Sequence, residues 1–331
     1  MGIFIEPVLS AYYQKYPLVL VDVGASGGIE SHWKSAEKYL QLIGFEPDER
    51  EFVNLKRKEN PRVKYFNTGL YKEKTSLEYY LTQKQQTSSI FEPNRIFLNR
   101  FPEANRFDVI KQIKIEVDTL DNQFTIHHIA DTDFIKVDTQ GSELFILAGA
   151  VDTIKNHVFG VEVEVEFVEM YQNQPLFSDV DSFMRRQGFW LFDIQSVHWK
   201  RNIGKNYHKK RGQIIFGNFL YLRTLESFRK MTEDIQEETE KKSKILKAFS
   251  ICFLYGYFDY AMEIFDGMKT LFNDTERRAI EKKIQGSTRL ENRIPNFLGR
   301  GKMASMVFAL SEILRPTHNG WAIIDRKLGN V

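Results

Sequence analysis

Short unbroken apolar runs alternate with amphipathic segments over the first two-thirds of the chain. "LVLVDVG" (18–24) is such a run ending in glycine, the signature of a strand buried on both faces of a parallel sheet. A helical stretch follows, then "LQLIGFEPD" (40–48) reads as a second buried strand. "EREFVNLKRKEN" (49–60) sets Phe52 and Leu55 three positions apart among charges, and Pro61 stops it as a helix. "RVKYFNTGL" then reads as a third strand. Strand, helix, strand, helix, strand predicts the start of a doubly wound sheet.

The middle is less regular. "SLEYYL" and "IKIEVDTL" read as paired strands around a loop from Thr82 to Arg106, longer than ordinary connections and therefore functional or partly disordered. "DFIKVDTQGSELFILAGA" (133–150) gives strand, turn and helix. "VFGVEVEVEF" reads as a strand, "LFSDVDSFMRRQGF" as a helix ended by Gly188, "WLFDIQ" as a strand and "GQIIFGNFLYLR" (212–223) as the final strand. About seven strands are complete by Arg223. The remainder opens with the charged "TEDIQEETEKKSK" and reads as helix throughout. Gly256, Phe258, Ala261 and Phe265 fall at the spacing of one tetratricopeptide hairpin. A stable array needs about three such units, so a single hairpin packing on the sheet domain is expected.

Composition narrows the partners. Among 331 residues, 46 basic and 44 acidic side chains give a net charge of +2, so no global field favours nucleic acid or a membrane surface. One cysteine, Cys252, excludes an internal disulfide framework. With no apolar run long enough to span a bilayer and no leader pattern, a cytoplasmic protein without a membrane span is expected.

"GASGG" (24–28) fits two chemistries. As a nucleophile elbow it would present Ser26 at a strand-to-helix turn, yet the downstream histidines offer no evident strand-end partner. As a glycine-rich cofactor loop it uses Gly24 for the tight turn and Gly27 or Gly28 for close backbone approach, with an acid about 20 residues on to grip a ribose diol. Glu46 ends the second strand at that distance. Asp22, two residues before Gly24, repels a pyrophosphate and welcomes an ammonium, which favours S-adenosylmethionine over NAD.

With "VDVGASGG", "GFEPD", "SSIFEPN", "VDTLD", "DFIKVDTQGSELFILAGA" and "EVEFVEMYQNQPLF" in order, the chain resembles the FkbM family of S-adenosylmethionine-dependent methyltransferases over about residues 17 to 223. The resemblance implies an α/β class I methyltransferase fold, a Rossmann-like doubly wound sheet of about seven strands. Residues 1–225 would form the S-adenosylmethionine-binding domain and residues 226–331 an α-helical extension. It implies that Asp22, Gly24 and Glu46 hold the cofactor, with Ala25, Ser26, Gly27, Pro47 and Asn67 completing that set, and that Asp138 stands beside the reaction centre. It also implies O-methylation of a hydroxyl on a saccharide, glycoconjugate precursor or secondary metabolite. Ser26 departs from the glycine of many class I methyltransferases. Thr139 and Gln140 stand where an acidic residue is common, so no metal is expected.

Strand exits carry the remaining candidates, because ligands bind outside the carboxyl ends of an open parallel sheet. By period two, Phe134, Lys136 and Asp138 share a face, and a Lys deep in a buried strand needs a carboxylate partner or a depressed pKa. "VEVEVEF" puts Glu162, Glu164 and Glu166 on one face. Three such acids are not expected to be buried together, so this face should open toward the cleft. Asp138, Glu164 and Lys136 are the expected catalytic set: a base or orienter for the acceptor hydroxyl, with Lys136 pairing structurally or acting as base. Ser88, Ser89, Gln140 and Glu143 are the expected acceptor-binding set, and the loop containing Asn94 and Arg95 is a candidate lid. Lys200, Arg201, Lys205, Lys209, Lys210 and Arg211 form either a solvated loop or a site for a phosphate-bearing acceptor. The alternative to an enzyme is a cofactor-bound scaffold whose helical tail recruits a polysaccharide or biosynthetic assembly, or mediates self-association.

Overall fold

The computed structural model describes residues 6–25, 31–204, 211–287, 295, 297–314, 320–324 and 328–330. The chain enters through α1 (Pro7–Lys15) and β1 (Leu18–Val23), followed by a 3-10 helix over Ser31–Tyr39. Next come β2 (Leu40–Phe45), α2 (Glu49–Lys56), β3 (Val63–Phe66), β4 (Gly69–Leu70) and β5 (Thr75–Thr82). After these lie α3 (Arg95–Leu98), β6 (Val109–Asp118), α4 (Leu120–Ile126), β7 (Phe134–Val137), α5 (Glu143–Ala148), α6 (Val151–His157) and β8 (Gly160–Glu166). Then follow α7 (Phe177–Arg186), β9 (Phe189–Trp199), β10 (Gln213–Arg223), α8 (Leu225–Glu233), α9 (Glu238–Leu254), α10 (Phe258–Met268), α11 (Asp274–Ser287), α12 (Arg300–Leu314) and β11 (Ala322–Ile324).

The large sheet has eight strands in the order β11-β9-β10-β8-β7-β1-β2-β3. Strands β3, β2, β1, β7 and β8 run parallel, while β10 is antiparallel to both β8 and β9. Because β1 pairs in parallel with β2 on one side and β7 on the other, the order in which strands are added to the sheet reverses there, which opens a crevice at the strand exits. A separate three-stranded sheet, β4-β6-β5, contains the expected pairing of "SLEYYL" with "IKIEVDTL".

Alternation along the strands divides the core in two. Val19, Val21, Val23, Ile135 and Val137 pack against α4 to α7. Leu18, Leu20, Phe134, Phe159, Leu220 and Leu222 pack against α1, α8, α9, α10 and α11. The tail after Arg223 therefore shares a core with the sheet. Its hairpin of α9 and α10 turns at Gly256, whose φ of +77° is a left-handed conformation natural to glycine, and it buries Ala261 and Phe265.

Two expectations change and one open alternative closes. Residues after Arg223 are not all helical: β11 adds to the edge of β9. The segment from Thr82 to Arg106 is ordered by a 3-10 turn at Gln85–Thr87, by α3 and by bridges Tyr80 to Ser89 and Pro93 to Tyr171. All three glutamates of β8 are buried, Glu162, Glu164 and Glu166 alike. Glu162 is covered by the tail and accepts a 2.7 Å hydrogen bond from Tyr255 OH. Burial, and after it neighbouring carboxyls, push Glu164 and Glu166 well above the usual carboxylate range, which lowers the cost of burying them.

Charged residues also join tail to sheet. Lys244 Nζ donates to Asp131 at 2.6 Å, to Asp133 at 2.8 Å and to the Thr132 carbonyl at 3.0 Å. Lys247 Nζ donates to the same two carboxylates at 2.9 and 3.0 Å. Asp133 also accepts from the Val19 amide at 2.8 Å.

Candidate functional site

A cavity of about 280 Å³ lies at the carboxyl ends of β1, β2 and β7, roofed by the small sheet and the turn after β5. Gly24 forms its floor with φ +79°, and a Cβ there would lie 2.0 Å from the Asp138 carbonyl oxygen. No other residue fits this turn. Glu46 leaves β2 beside it with its carboxylate accepting from the Asp48 amide at 2.8 Å. Burial, with the like charges of Asp48, Glu51 and Asp22, pushes Glu46 up to about 7 despite that bond. Asp48 caps α2 through the Arg50 amide, and its carboxylate is paired by the Arg50 guanidinium at 2.9 Å.

Across the cavity, Gln140 holds two carboxyls together. Its Nε2 donates to Asp138 Oδ1 at 3.1 Å and to Glu164 Oε1 at 2.6 Å. Gln140 adopts φ +60°, an uncommon conformation for a residue with a side chain. Neighbours enforce it. Its carbonyl accepts from Ser89 Oγ at 2.7 Å, and Tyr171 OH donates to its Oε1 at 3.1 Å and to the Thr87 carbonyl at 2.9 Å. Glu143 closes the same turn from behind by accepting from the Thr139 amide at 2.8 Å and from the Gly141 amide at 2.9 Å. Burial, partly offset by these bonds, raises Glu143 to about 7.

The cavity wall thus brings together Gly24, Glu46, Pro47, Asp138, Gln140, Glu164 and Ser88 of the expected residues. Ser89 and Glu143 are buried behind it and shape the Gln140 turn. Asp22 and Ala25 are buried beneath the glycine turn. Lys136 sits mid-strand, in register with Asp22 on one side and Glu162 on the other. Asn67 is exposed and donates to the Glu46 carbonyl at 2.9 Å. Ser26 and Gly27 lie outside the described residues, as do Lys205, Lys209 and Lys210; Lys200 is buried, whereas Arg201 and Arg211 are exposed.

Several wall residues were not expected from the sequence: Thr68, Gly69, Tyr79, Gln85, Gln86 and Ser142. A signal existed for two of them, since Gln85 and Gln86 belong to the overlong loop after β5. Among the described residues no group of three or more His, Cys, Asp or Glu is arranged to hold a metal ion.

A parallel sheet reversing at β1, an antiparallel β10 and a cavity at the strand exits define the class I methyltransferase fold. The Methyltransferase FkbM domain profile matches residues 22–191, and the chain belongs to that family. Its cofactor is S-adenosylmethionine. No curated protein is similar to the chain at a significant level.

Among solved structures, methyltransferase FkbM from Methylobacillus flagellatus KT is 19% identical, with a TM-score of 0.36, over 62% of this chain and 43% of that one. The chain thus spans less than half of that protein's length. Magnesium protoporphyrin IX methyltransferase (ChlM) from Synechocystis PCC 6803, solved with bound SAM, is 9% identical over 66% of this chain and 76% of that one, with a TM-score of 0.32. Precorrin-6y C5,15-methyltransferase from Geobacter metallireducens GS-15 is 11% identical over 66% and 87%, with a TM-score of 0.33. At such scores the likeness says nothing about substrate. No helix among the described residues is long and apolar enough to cross a membrane.

Proposed function

We propose that the protein transfers a methyl group from S-adenosylmethionine to a hydroxyl of a saccharide or related small molecule. The observation that carries this reading is the pairing of the Asp138 and Glu164 carboxyls by one Gln140 amide, on the wall of the cavity that also holds Gly24 and Glu46. The site suits the cofactor: a glycine turn that admits no Cβ lets backbone approach a ligand, and the buried Glu46 carboxyl supplies the acceptor a ribose diol needs. Asp22, Pro47 and Asn67 support that end of the site.

S-adenosylmethionine supplies a methyl group on a positively charged sulfur. The chain must place an acceptor oxygen in line with it and remove a proton. An alcohol is a poor nucleophile until its proton leaves, so a carboxylate within hydrogen-bond reach takes that proton as the bond to carbon forms. Asp138 is the base in this reading. Glu164, pushed well above the usual carboxylate range by burial and then by the charge of Asp138, orients the hydroxyl by hydrogen bonding, and Gln140 fixes the two carboxyls relative to each other. Ser88 and the turn at Gln85 and Gln86 contact the acceptor side. Incubation with methyl-labelled cofactor and a panel of hydroxylated acceptors tests the reading. Label in a base-stable ether supports it; label in an amine or a base-labile ester rejects O-methylation of a hydroxyl.

Glu46 also yields a pH prediction. In the free protein its carboxyl is about half protonated near pH 7, because burial raises it. Hydroxyl donors on a bound ribose favour the carboxylate, so binding expels the proton. Affinity for S-adenosylhomocysteine should fall as pH drops below about 7, by up to about tenfold per unit, with proton release visible in calorimetry across buffers. A pH-independent affinity from 6 to 8 would remove Glu46 from the binding set.

A further inference from the structure

The cavity wall carries four carboxyls, Glu46, Asp48, Asp138 and Glu164, and among its described residues no Lys, Arg or His. Glu143 and Glu166 stand directly behind, both almost fully buried. Neither carboxyl oxygen of Glu166 accepts a hydrogen bond. Burial, and after it mutual repulsion among Asp138, Glu143 and Glu164, shapes the ionisation of this group.

Countercharges exist, but away from the lumen. Arg50 neutralises Asp48 from the α2 side. Lys136 acts on Glu164 from within the sheet. Arg106 reaches Glu164 only through its field, since its guanidinium lies over the rings of Phe107, Trp199 and Trp321 at 4.8, 4.8 and 5.0 Å. A ligand entering the cavity therefore meets carboxyls and amides first, in a confined site that concentrates their field.

We infer, building on the methyl-transfer reading above, that this site selects by charge: its acceptor is a hydroxylated molecule that is neutral or carries an ammonium, and acceptors bearing phosphate or carboxylate are excluded. An anion would have to be desolvated beside Asp138 with no cation among the described wall residues to receive it. An ammonium gains from the same arrangement and draws the buried carboxyls into their ionised forms. Nucleotide-activated sugars and uronic acids are thereby disfavoured, and free, glycosidic or amino sugars favoured.

The field at the transfer point can be read with two cofactor-site probes of nearly equal size. S-adenosylhomocysteine carries a neutral thioether there, and sinefungin carries an amine-bearing carbon. Sinefungin should bind about tenfold or more tightly than the thioether at low salt. That preference should shrink in Glu164→Gln and at high ionic strength, while S-adenosylhomocysteine affinity changes little. Equal affinities in wild type, or a preference unaltered in Glu164→Gln, would overturn the charge selection. Binding of neither probe would instead defeat the assignment of this cavity to the cofactor, and the inference with it. The acceptor panel gives an independent arm: kcat/KM for glucosamine or methyl glucoside should exceed that for glucose 6-phosphate or glucuronate. Equal or faster methylation of the anionic members overturns the inference even if sinefungin is preferred.

Discussion

Asp138→Asn should lower kcat for methyl transfer by about 10²- to 10⁴-fold, with the dissociation constant of S-adenosylhomocysteine within a few-fold of wild type. The substitution preserves shape and still offers an oxygen to Gln140 Nε2, now 3.1 Å from Asp138 Oδ1. What it removes is the capacity to take a proton. Glu164→Gln should be milder, because burial raises that carboxyl well above the usual range and so disfavours its charged form, and an amide can replace much of its hydrogen bonding. Tyr171→Phe separates positioning from chemistry: it releases the Gln140 amide without touching either carboxyl, so KM for the acceptor should rise more than kcat falls. Steady-state kinetics on the three variants, beside calorimetry for cofactor-product binding, distinguishes these effects. Full activity in Asp138→Asn would exclude it as the base and transfer that role to Glu164 or to solvent.

What could be read in the chain before any fold was known follows from how local its causes are. "LVLVDV" announces a doubly buried strand because every one of its residues is apolar save Asp22 and all are buried, and "GFEPD" announces a strand exit because the acid Glu46, Pro47 and the Asp48 cap on α2 follow the strand directly. The carboxyl ends of β1, β2 and β7 were legible for this reason. Glu162 was not, since its cover is Tyr255, 93 residues away. An alternation of Glu and Val normally marks a half-exposed strand, and nothing near it in the sequence reveals the tail. β11 escaped notice because three residues carry no period of their own; pairing with β9 makes them a strand. The roof over the cavity has a similar origin. Tyr79 reads as an ordinary strand residue, and folding of β5 and β6 over the large sheet turns it toward the cavity.

The same distance hides the role of Lys244 and Lys247. Read along the chain Lys244 ends the charged stretch "TEDIQEETEKKSK" and Lys247 follows it, yet they are 5% and 3% exposed and meet Asp131 and Asp133 more than a hundred positions away. Lys244→Met should therefore destabilise the protein by about 1–3 kcal/mol, because Asp133 and the part-exposed Asp131 lose one of the two ammonium groups that pair them and keep only Lys247. Pairing Lys244→Met with Asp133→Leu should recover part of the loss, although the Val19 amide bond to Asp133 goes with it. Denaturant titration followed by circular dichroism measures both. A change within about 0.5 kcal/mol for Lys244→Met, the range of ordinary surface substitutions, would show that the cluster is solvated and that the tail is held by its apolar contacts alone.

Acid should weaken the same joint. Burial raises Asp131, but Lys244, His157 and Lys247 together pull its carboxyl below the usual range. Its contribution is present above about pH 4, where the unfolded chain is also ionised, and is lost as pH falls further. The cluster bears directly on the choice between an enzyme and a scaffold. Residues 1–225 alone would expose Phe134, Phe159, Leu220 and Leu222 and leave Asp133 without its lysines, so that fragment should be insoluble or molten. Loss of activity on truncation would then reflect loss of fold. Point variants on the tail, with folding verified at each, are the way to ask whether it also recruits a partner.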